Sequence, residues 1–554
     1  MSLVEVDGLT VEFGDVRAVD GLSFRLAKGA ALGLVGESGS GKSTVASALL
    51  GLHRGTGAVV GGSVRVAGTD VREASDAELR ALRGGRAAMV FQDPLSSLDP
   101  YYAVGDQIAE VYRVHRKASR RTARARAVEV LDRVGIPDAA RRSRSRPHEF
   151  SGGMRQRALI AMALACEPDL IVADEPTTAL DVTVQAQILD LLHALREETG
   201  TGLLLVTHDV GVAAESVDEV LVMRGGRAVE HGPVTEVLGA PRHAYTRRLL
   251  RAVPRVDAPR VDAPRLDGPR PDAPRVEASR SREAGGAASG PAPAVLEAVG
   301  LRRVFGRGAR AAVAVDGVSL EVRRGEALGI VGESGSGKTT LGRMLVGLLE
   351  PTAGEVRHEG TAARGVDPRV QMVFQDPVSS LNPRRSVGES VADPLRARGA
   401  RDAEVRERVA ELLERVGLDP ANRTRYPHEF SGGQRQRVGI ARALAADPRV
   451  LVCDEPVSAL DVTTQAQVVA LLDELRRELG LALVFIAHDL AVVRQVSDRL
   501  AVMRGGRVVE YGPADEVYES PGDPYTRRLL AAVPALDPAL AARRRTERRQ
   551  PAGA

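Results

Sequence analysis

Short, fully apolar runs alternate along the chain with longer segments in which apolar residues recur every three to four positions. Residues 170–173 and 203–207 are predicted to be buried strands, and residues 183–198 between them a helix. Strands that alternate with helices are typical of an α/β fold with a mainly parallel sheet. The same alternation returns in the second half of the chain, which predicts two domains of one design.

Two segments depart from this alternation and keep the helical period alone. Residues 95–165 place apolar side chains at helical spacing, among them Val104, Ile108 and Leu131. Residues 378–445 are their counterpart in the second half of the chain. We expect each segment to form a helical subdomain inserted into an α/β core.

The sequence contains an internal repeat of two similar copies. Matching motifs recur at an offset of 280 residues, as in Glu175 and Glu455. The offset between Lys42 and Lys338 is larger, at 296 residues, so the first copy has additional residues upstream of its later motifs. Most of them fall around residues 61–86, a Gly- and Arg-rich stretch that predicts surface loops.

The repeat also sets the predicted domain boundaries. The two copies occupy residues 1–253 and 295–535. Between them, residues 254–294 repeat Pro-Arg-Val-Asp-Ala in variants, and proline every five residues is incompatible with a regular helix. We therefore expect a semi-extended flexible linker there, and a frayed basic tail over residues 536–554.

Each copy has a glycine-rich loop between a predicted strand and a predicted helix, which is the setting of a P-loop. Glycines let the backbone turn its N–H groups toward phosphate oxygens, and the helix N-terminus adds partial positive charge. The lysine neutralises β/γ-phosphate charge, and the following Ser or Thr offers a hydroxyl to Mg²⁺. The predicted nucleotide-binding residues of these loops are Gly36, Glu37, Ser38, Gly39, Ser40, Gly41, Lys42, Ser43 and Thr44 in the first copy and Gly332, Glu333, Ser334, Gly335, Ser336, Gly337, Lys338, Thr339 and Thr340 in the second.

Two acids end an apolar strand in each copy, Asp174-Glu175 and Asp454-Glu455. The first carboxylate of each pair is placed to hold Mg²⁺ beside the P-loop hydroxyl. The second can polarise an attacking water molecule. Strand-end acids alone are common, and it is their position after a P-loop that indicates a catalytic site.

Three further motifs recur in register. Gln92 and Gln375 follow a Val-Phe pair, where an amide can bridge Mg²⁺ and water. His208 and His488 follow apolar strands and are interpreted as γ-phosphate contacts. A Ser-Gly-Gly signature opens a helix in each copy, where exposed backbone N–H groups favour an anion. The residues of the two signatures are Ser151, Gly152 and Gly153, and Ser431, Gly432 and Gly433.

Composition and charge argue against several classes of function. The 554 residues carry a net charge of only +3, which argues against a general nucleic-acid binder. The two cysteines, Cys166 and Cys453, lie far apart in the chain, so neither a disulfide framework nor an iron–sulfur cluster is expected. No run reaches the roughly 18–20 apolar residues of a membrane span, and the N-terminus lacks a signal-peptide pattern.

In their order, these motifs resemble the ATP-binding cassette (ABC) ATPases, twice over. That order also includes the Ala-Leu-Asp loops, with Ala179 in the first copy and Ala459 in the second. The resemblance implies two P-loop NTPase domains, each an α/β RecA-like core with an inserted helical subdomain, and it implies ATP and Mg²⁺ as ligands. It also implies that the two cassettes pair intramolecularly, head to tail, with Lys42 facing Ser431 and Lys338 facing Ser151.

The resemblance assigns a role to each motif. Glu175 and Glu455 would be general bases, while His208 and His488 would sense the γ-phosphate. The resemblance also implies that the rings of Phe13 and Phe305 stack on adenine. The residues that would bind Mg²⁺ are Ser43, Gln92 and Asp174 in the first copy and Thr339, Gln375 and Asp454 in the second.

Two further stretches look like the dipeptide/oligopeptide/nickel importer branch of this family. One is the Asp-Pro-Leu-Ser-Ser-Leu run from Asp93, which returns as Asp-Pro-Val-Ser-Ser-Leu from Asp376. The other is Tyr-Thr-Arg-Arg-Leu-Leu from Tyr245, which returns from Tyr525. The branch implies two integral-membrane permease subunits, an extracytoplasmic solute-binding protein and a peripheral position at the cytoplasmic face of the cell membrane. Peptides, glutathione-like molecules, nickel chelates and opines all remain open as solutes.

Other classes of twin-cassette protein remain as alternatives. An exporter or antibiotic-resistance ATPase shares every motif, since direction is set by the membrane partner. A soluble translation factor usually joins its cassettes with a long charged helix, whereas this linker is interrupted by proline. A DNA-repair ATPase would carry zinc cysteines or coiled-coil insertions, which this sequence lacks.

Overall fold

The computed structural model describes residues 2–256, 293–306, 308 and 311–549, apart from Ala179 and Ala459. Most of the predicted linker, residues 257–292, therefore lies outside the described residues. The chain divides into two compact units. Unit 1 comprises Met1–Arg255, Asp461–Thr463 and Ala531–Ala554, and unit 2 comprises Val256–Leu460 and Thr464–Leu530.

Unit 1 alternates strands and helices after an initial pair of long strands. Its strands are β1 (Ser2–Phe13), β2 (Val16–Ala27), β3 (Ala31–Val35), β4 (Val59–Val66), β5 (Thr69–Asp70), β6 (Ala87–Val90), β7 (Leu170–Asp174), β8 (Gly202–Thr207), β9 (Glu219–Arg224) and β10 (Arg227–Pro233). Its helices before residue 255 are α1 (Lys42–Leu49), α2 (Asp76–Leu82), α3 (Pro94–Ser97), α4 (Val104–Arg116), α5 (Arg120–Arg133), α6 (Ala139–Arg142), α7 (Gly152–Leu164), α8 (Val182–Thr199), α9 (Val210–Ser216), α10 (Val234–Gly239) and α11 (Ala244–Ala252).

The central sheet of unit 1 has the order β10-β9-β3-β8-β7-β6. Its pairs are parallel except for β9 with β10. Because side chains alternate across a strand, β3 serves both faces of the sheet: Leu32 and Leu34 pack into one apolar cluster, and Ala31 and Val35 into another. This arrangement confirms the predicted α/β fold with a mainly parallel sheet.

A second sheet, of order β2-β1-β4-β5, is antiparallel. The sequence did not indicate it, because the register between β1 and β2 shifts at several points and each shift interrupts the apolar–polar alternation. Leu9, Val11 and Leu22 from this sheet are fully buried against one face of the central sheet. The sheet thereby covers the strand that leads into the P-loop.

The predicted helical subdomain of unit 1 is present as α3 to α7. Val104, Ile108 and Leu131 are fully buried and belong to the cluster on the other face of the central sheet. The expectation of surface loops over residues 61–86 was wrong in part. That stretch contains most of β4, all of β5 and α2, whose Leu79 and Leu82 are buried.

Unit 2 repeats the design. Its strands are β11 (Ala294–Phe305), β12 (Ala312–Arg323), β13 (Ala327–Val331), β14 (Ala353–His358), β15 (Thr361–Ala362), β16 (Val370–Val373), β17 (Val450–Asp454), β18 (Ala482–Ile486), β19 (Arg499–Arg504) and β20 (Arg507–Pro513), in the sheets β16-β17-β18-β13-β19-β20 and β12-β11-β14-β15. Its helices are α12 (Lys338–Leu345), α13 (Pro377–Ser380), α14 (Val387–Ala397), α15 (Asp402–Arg415), α16 (Gly432–Leu444), α17 (Val462–Leu479), α18 (Leu490–Val496), α19 (Ala514–Glu519) and α20 (Pro524–Ala532). The first two residues of α17 and the last two of α20 cluster with unit 1.

The C-terminal segment differs from the expected frayed tail. It forms a further helix, α21 (Pro538–Arg549), and it clusters with unit 1. Ala541 on this helix is buried, and Leu536 just before it packs against the apolar cluster that includes the helical subdomain. The segment is therefore a packed element of unit 1.

Candidate ATP-binding and hydrolysis site

The P-loop of unit 1 connects the end of β3 to the start of α1. Its last residue, Gly41, has a φ of 96°, and a Cβ at this position would overlap the carbonyl oxygen of Ala18. Gly337 has a φ of 102° in unit 2 and lies equally close to the carbonyl oxygen of Ala314. Only glycine fits both the backbone angle and the space. The first N–H groups of the following helix are thereby directed into the loop, as a phosphate site requires.

The P-loop lysines are buried inside their loops. Lys42 is 4% exposed, and its Nζ donates to the carbonyl oxygens of Gly36 and Glu37 at 2.8 Å each. Lys338 makes the same two contacts in unit 2, at 2.7 and 2.9 Å. Burial lowers the pKa of Lys42, and the charge of Glu175 is the largest of those that oppose this shift. The ammonium group is held where it can meet β- and γ-phosphate oxygens.

A hydroxyl and a carboxylate meet beside each lysine. Ser43 Oγ donates to Asp174 Oδ1 at 3.0 Å, and Thr339 Oγ1 donates to Asp454 Oδ1 at 3.1 Å. These are hard oxygen donors of the kind Mg²⁺ prefers, so the residues fit the predicted metal. Burial raises the pKa of Asp174 to about 6, and it raises the pKa of Asp454 as well. A cation beside these carboxylates would therefore relieve an unfavourable buried charge.

Replacing Asp174 with asparagine is expected to stabilise unit 1 at pH 7 when Mg²⁺ is removed with a chelator. The pKa of the carboxyl rises from 3.8 to about 6 on folding, so ionisation costs stability as pH increases through that window. The gain at pH 7 is about 3 kcal/mol, and it shrinks at pH 5. Thermal unfolding of Asp174→Asn and the parent at both pH values measures it. A variant that is less stable at pH 7 than the parent contradicts the prediction.

Glu175 is the centre of the hydrogen-bond network in unit 1. Gln92 Nε2 donates to Glu175 Oε2 at 2.8 Å, and His208 Nδ1 lies 3.1 Å from Oε1. Thr178 Oγ1 donates to Oε2 at 2.9 Å. Three side chains from separate parts of the chain thus fix both oxygens of one carboxylate at the carboxyl end of the sheet.

Unit 2 builds a similar network, in which Ser458 takes the place of Thr178 and donates to the backbone carbonyl of Glu455. Gln375 Nε2 donates to Glu455 Oε2 at 2.8 Å, and His488 Nδ1 lies 3.2 Å from the same oxygen. The structure therefore brings each predicted lysine, hydroxyl, acid pair, glutamine and histidine together within its own copy. Both copies have a full set of these groups.

The backbone and charge state of the two glutamates are unusual. Glu175 has a φ of 47° and Glu455 a φ of 44°, a left-handed conformation that costs energy for a side chain of this kind. Burial acts to raise the pKa of Glu175, but the hydrogen bond and charge of His208 outweigh it and the pKa is lowered. Although burial acts to lower the pKa of His208, Glu175 raises it overall. The carboxylate form of Glu175, which is the form that can accept a proton, is therefore favoured beside His208.

The Ser-Gly-Gly signatures lie in the helical subdomains and take no part in the hydrogen-bond networks described above. Ser151 is the N-cap of α7 and accepts from the N–H of Met154 at 3.3 Å. Ser431 caps α16 in the same way, and there Gln434 Oε1 also accepts from the N–H of Ser431 at 3.0 Å. Both serines are exposed at the opening of a helix in the helical subdomain. The methionine of the first copy cannot make the reciprocal contact, so only the second copy has a complete capping box.

The two rings predicted to stack on adenine lie at strand ends and are partly exposed. Phe13 at the end of β1 is 39% exposed and contacts His53 edge-on, with ring centroids 5.4 Å apart. Phe305 at the end of β11 is 42% exposed, with the guanidinium of Arg303 over its ring. Ala179 and Ala459 of the Ala-Leu-Asp loops lie outside the described residues. The adenine-stacking role of the two rings stays a prediction.

Sequence reasoning missed a support for each P-loop. Tyr245 Oη accepts from the N–H of Glu37 at 3.2 Å, and Tyr525 Oη accepts from the N–H of Glu333 at 3.1 Å. Both rings are buried, on α11 and α20. The repetition of Tyr-Thr-Arg-Arg-Leu-Leu in both copies was the available signal that these tyrosines matter. The sequence does not show that their hydroxyls contact the P-loops.

A P-loop beside a strand-end acid pair, a glutamine and a histidine is typical of ATP-hydrolysing proteins, and comparison with known proteins identifies the family. The ABC transporter family model matches residues 19–178 and 315–458. A model of the oligopeptide/dipeptide transporter C-terminal region matches residues 229–280 and 509–553. The chain belongs to the ABC transporter family as an ATP-binding protein with two ATPase cassettes, and the predicted importer branch is confirmed.

Two curated relatives cover almost the whole chain. One is the "Glutathione import ATP-binding protein GsiA" of Salmonella choleraesuis, which is 45% identical over 97% of this chain and 90% of its own length. The protein of the same name from Escherichia coli O157:H7 is 46% identical over the same shares. Among solved structures, cbiO1 from Clostridium perfringens matches with a TM-score of 0.38 and 30% identity over 41% of this chain and 92% of its own.

Among the described residues, no helix combines the length and the apolar character needed to span a bilayer.

Proposed function

We propose that this protein is the energy-coupling ATPase of an importer for glutathione or related short peptides. The observation that carries the proposal is the 45% identity to a glutathione import ATP-binding protein over 97% of this chain. The match to the oligopeptide/dipeptide transporter C-terminal region, found after each cassette, supports a peptide-like solute. Two full sets of site residues support hydrolysis in both cassettes.

The proposal assigns the chemistry residue by residue. Lys42 and Lys338 bind β- and γ-phosphate oxygens, and the adjacent Ser or Thr with the first strand-end Asp and the glutamine hold Mg²⁺. Glu175 and Glu455 accept the proton of the attacking water. When bound, Mg²⁺ would neutralise charge on the transferring phosphoryl group, and the residues named above would position the nucleotide and the water.

We further propose that each ATP is completed by the signature of the other copy, with Lys42 opposite Ser431 and Lys338 opposite Ser151. One contact inside unit 1 supports this pairing. Thr463 belongs to unit 1 although it follows the Ala-Leu-Asp loop of the second copy, and its Oγ1 donates to Glu37 Oε1 at 2.8 Å. A residue from the second copy thus contacts the first P-loop.

Membership of the importer branch supports the proposed partners. Import requires a path through the membrane, which two permease subunits would supply, and a solute-binding protein outside the membrane would deliver the solute. This protein would act at the cytoplasmic face as a peripheral subunit. No iron–sulfur cluster or nucleic acid takes part in the proposed function.

Uptake measurements test the proposal. In a strain that lacks this gene, expression of the parent chain is expected to restore ATP-dependent uptake of radiolabelled glutathione. A Glu175→Gln/Glu455→Gln double variant is expected to leave uptake at background, because hydrolysis drives the cycle. Replacement of Glu5, an exposed glutamate of β1, with Gln provides a control that leaves both sites intact.

Competition and direction decide among the alternatives. An excess of unlabelled glutathione should suppress uptake, and competition by dipeptides or nickel chelates would assign the solute within the branch. Export of preloaded label by the parent chain, without uptake, would show an exporter. Restored uptake by the double variant would overturn the energy-coupling role.

A further inference from the structure

The C-terminal segment of unit 1 packs on α9, the short helix that directly follows His208. Pro534 packs against the helix at Gly211, so closely that a Cβ at this glycine would lie 3.0 Å from the proline Cβ. The N–H of Ala535 points to Glu215 Oε1 at 3.4 Å. The seven residues of α9 are all buried. The C-terminal segment is thus part of the surroundings that hold this helix.

Arg545 on α21 joins two helices of unit 1. Its Nη1 donates to the carbonyl oxygen of Glu215, in the last turn of α9, at 2.9 Å. The same nitrogen lies 3.3 Å from His193 Nδ1 on α8. A cation at the carboxyl end of a helix binds carbonyls that have no partner within the helix and favours the helix dipole. Arg545 therefore acts as a C-terminal cap for α9 that is supplied from α21.

The contact also fixes the proton position on His193. A guanidinium only donates, so Nδ1 of His193 accepts and its Nε2 carries the hydrogen. That nitrogen lies 3.0 Å from Glu197 Oε1 and donates to it. In the hydrogen-bonded series Arg545–His193–Glu197, each donor faces an acceptor. Two residues of α8 thereby help to hold Arg545, and with it α21, in place.

The opposite end of α9 leads straight into the hydrolysis site. Asp209 caps the helix and accepts from the N–H groups of Gly211 and Val212. The residue before Asp209 is His208, whose Nδ1 is 3.1 Å from Glu175 Oε1. A displacement of the seven-residue helix would therefore move the histidine relative to the carboxylate.

Among the described residues, the counterpart helix of unit 2 has different contacts: Arg494 of α18 donates to the carbonyl oxygen of Val256. Glu215 is 8% exposed, and the C-terminal segment contacts both its side chain and its carbonyl oxygen. The corresponding position of α18 in unit 2, offset by 280 residues, is Gln495, and it is exposed. The two ATP sites match in their own residues but differ in the surroundings of the histidine-bearing segment.

We propose that Arg545 is a positioning residue for ATP hydrolysis at the first site, acting through α9 to hold His208 against Glu175. The proposal rests on the catalytic role proposed above for His208 and adds to it a means of regulation. A partner that draws α21 away from α9 would slow the first site and leave the second site unchanged.

Hydrogen exchange in the full chain gives the first test. In Arg545→Ala, the amides of Val210–Ser216 are expected to exchange about tenfold faster, since a hydrogen bond from a charged donor is lost. The amides of Leu490–Val496 in unit 2 serve as an internal reference and should not change. Arg543→Ala is the matched control, because Arg543 is an exposed residue of the same helix with the same charge.

Kinetics give the second test. In a Glu455→Gln background, which reports on the first site, Arg545→Ala is expected to lower kcat about fivefold with little change in KM, because positioning acts on the chemical step. Arg545→Lys should recover part of the loss, since an ammonium can still donate to the carbonyl of Glu215. In a Glu175→Gln background, Arg545→Ala should leave the remaining rate unchanged.

The outcomes separate this proposal from the proposed function. Equal effects of Arg543→Ala and Arg545→Ala, or unchanged exchange in Val210–Ser216, would overturn the positioning role whether or not the protein drives import. Faster exchange in that helix with unchanged kcat would also overturn it, since α9 would then not control His208. Failure of the parent chain to restore glutathione uptake would bear only on the solute and the direction of transport, and not on the role of Arg545.

Discussion

Replacing Glu175 and Glu455 together with glutamine is expected to lower the ATP turnover of the protein by about 100-fold or more. Glutamine keeps the size and most hydrogen bonds of glutamate but cannot accept a proton. In the parent chain, Gln92 and His208 hold both oxygens of Glu175, and the lowered pKa keeps the group ionised at neutral pH. The substitution removes the proposed base with little change in size. The amide oxygen can still accept from Gln92 and Thr178, whereas the amide NH₂ cannot accept from His208. Steady-state phosphate release measures the effect.

The single variants report on each site. Since both copies carry a full set of groups, Glu175→Gln and Glu455→Gln are each expected to lower turnover to half of the parent rate or below. A turnover well below half of the parent rate in either variant would indicate that hydrolysis at one site depends on hydrolysis at the other. Glu5→Gln should retain the parent rate. Full activity in either single variant would contradict the assignment of two competent sites.

Much of the central fold could be predicted because its signals are local. A wholly apolar run such as Ala31–Val35 is buried on both sides, and a glycine-rich loop and a helix follow it directly. The antiparallel sheet was harder to predict for a physical reason. Register shifts along β1 break the two-residue period, and its partners β2 and β4 are set by contacts across the chain.

The site shows the same division between local and distant information. Lys42, Asp174 and Glu175 were predicted from motifs that lie at the ends of strands. Neither the left-handed φ of Glu175 nor the hydrogen bond from Glu37 to Tyr245 could be predicted, because both depend on packing between residues distant in sequence. The charge state of Glu175 likewise depends on His208, which only the fold brings within reach.

The C-terminal helix illustrates how composition misleads. Residues 541–549 are rich in arginine, which predicts a solvated tail. The structure instead buries Ala541 and directs Arg545 to a helix carboxyl end more than 300 residues earlier in the chain. An arginine that caps a distant helix has the same local sequence signature as an arginine in solvent, so only tertiary structure separates the two.

Replacing Lys42 and Lys338 together with alanine is expected to weaken Mg²⁺–ATP binding by roughly 100-fold, the effect of losing charge-assisted hydrogen bonds to phosphate in a buried site. Lys42 also bridges the carbonyl oxygens of Gly36 and Glu37, so its loss removes a brace from the loop as well as a charge. Titration calorimetry with Mg²⁺–ATP measures the affinity. Lys28→Ala removes an exposed lysine of the same charge and should bind as the parent does.

The single lysine variants distinguish independent sites from coupled ones. If each site binds ATP by itself, Lys42→Ala should retain one site of parent affinity, and the calorimetric stoichiometry should fall from two to one. If each ATP is completed by the signature of the other copy, loss of one nucleotide should also weaken binding at the second site, because closure of the pair would no longer be supported from both sides. Unchanged affinity in the double variant would contradict the role of both lysines, whichever coupling holds.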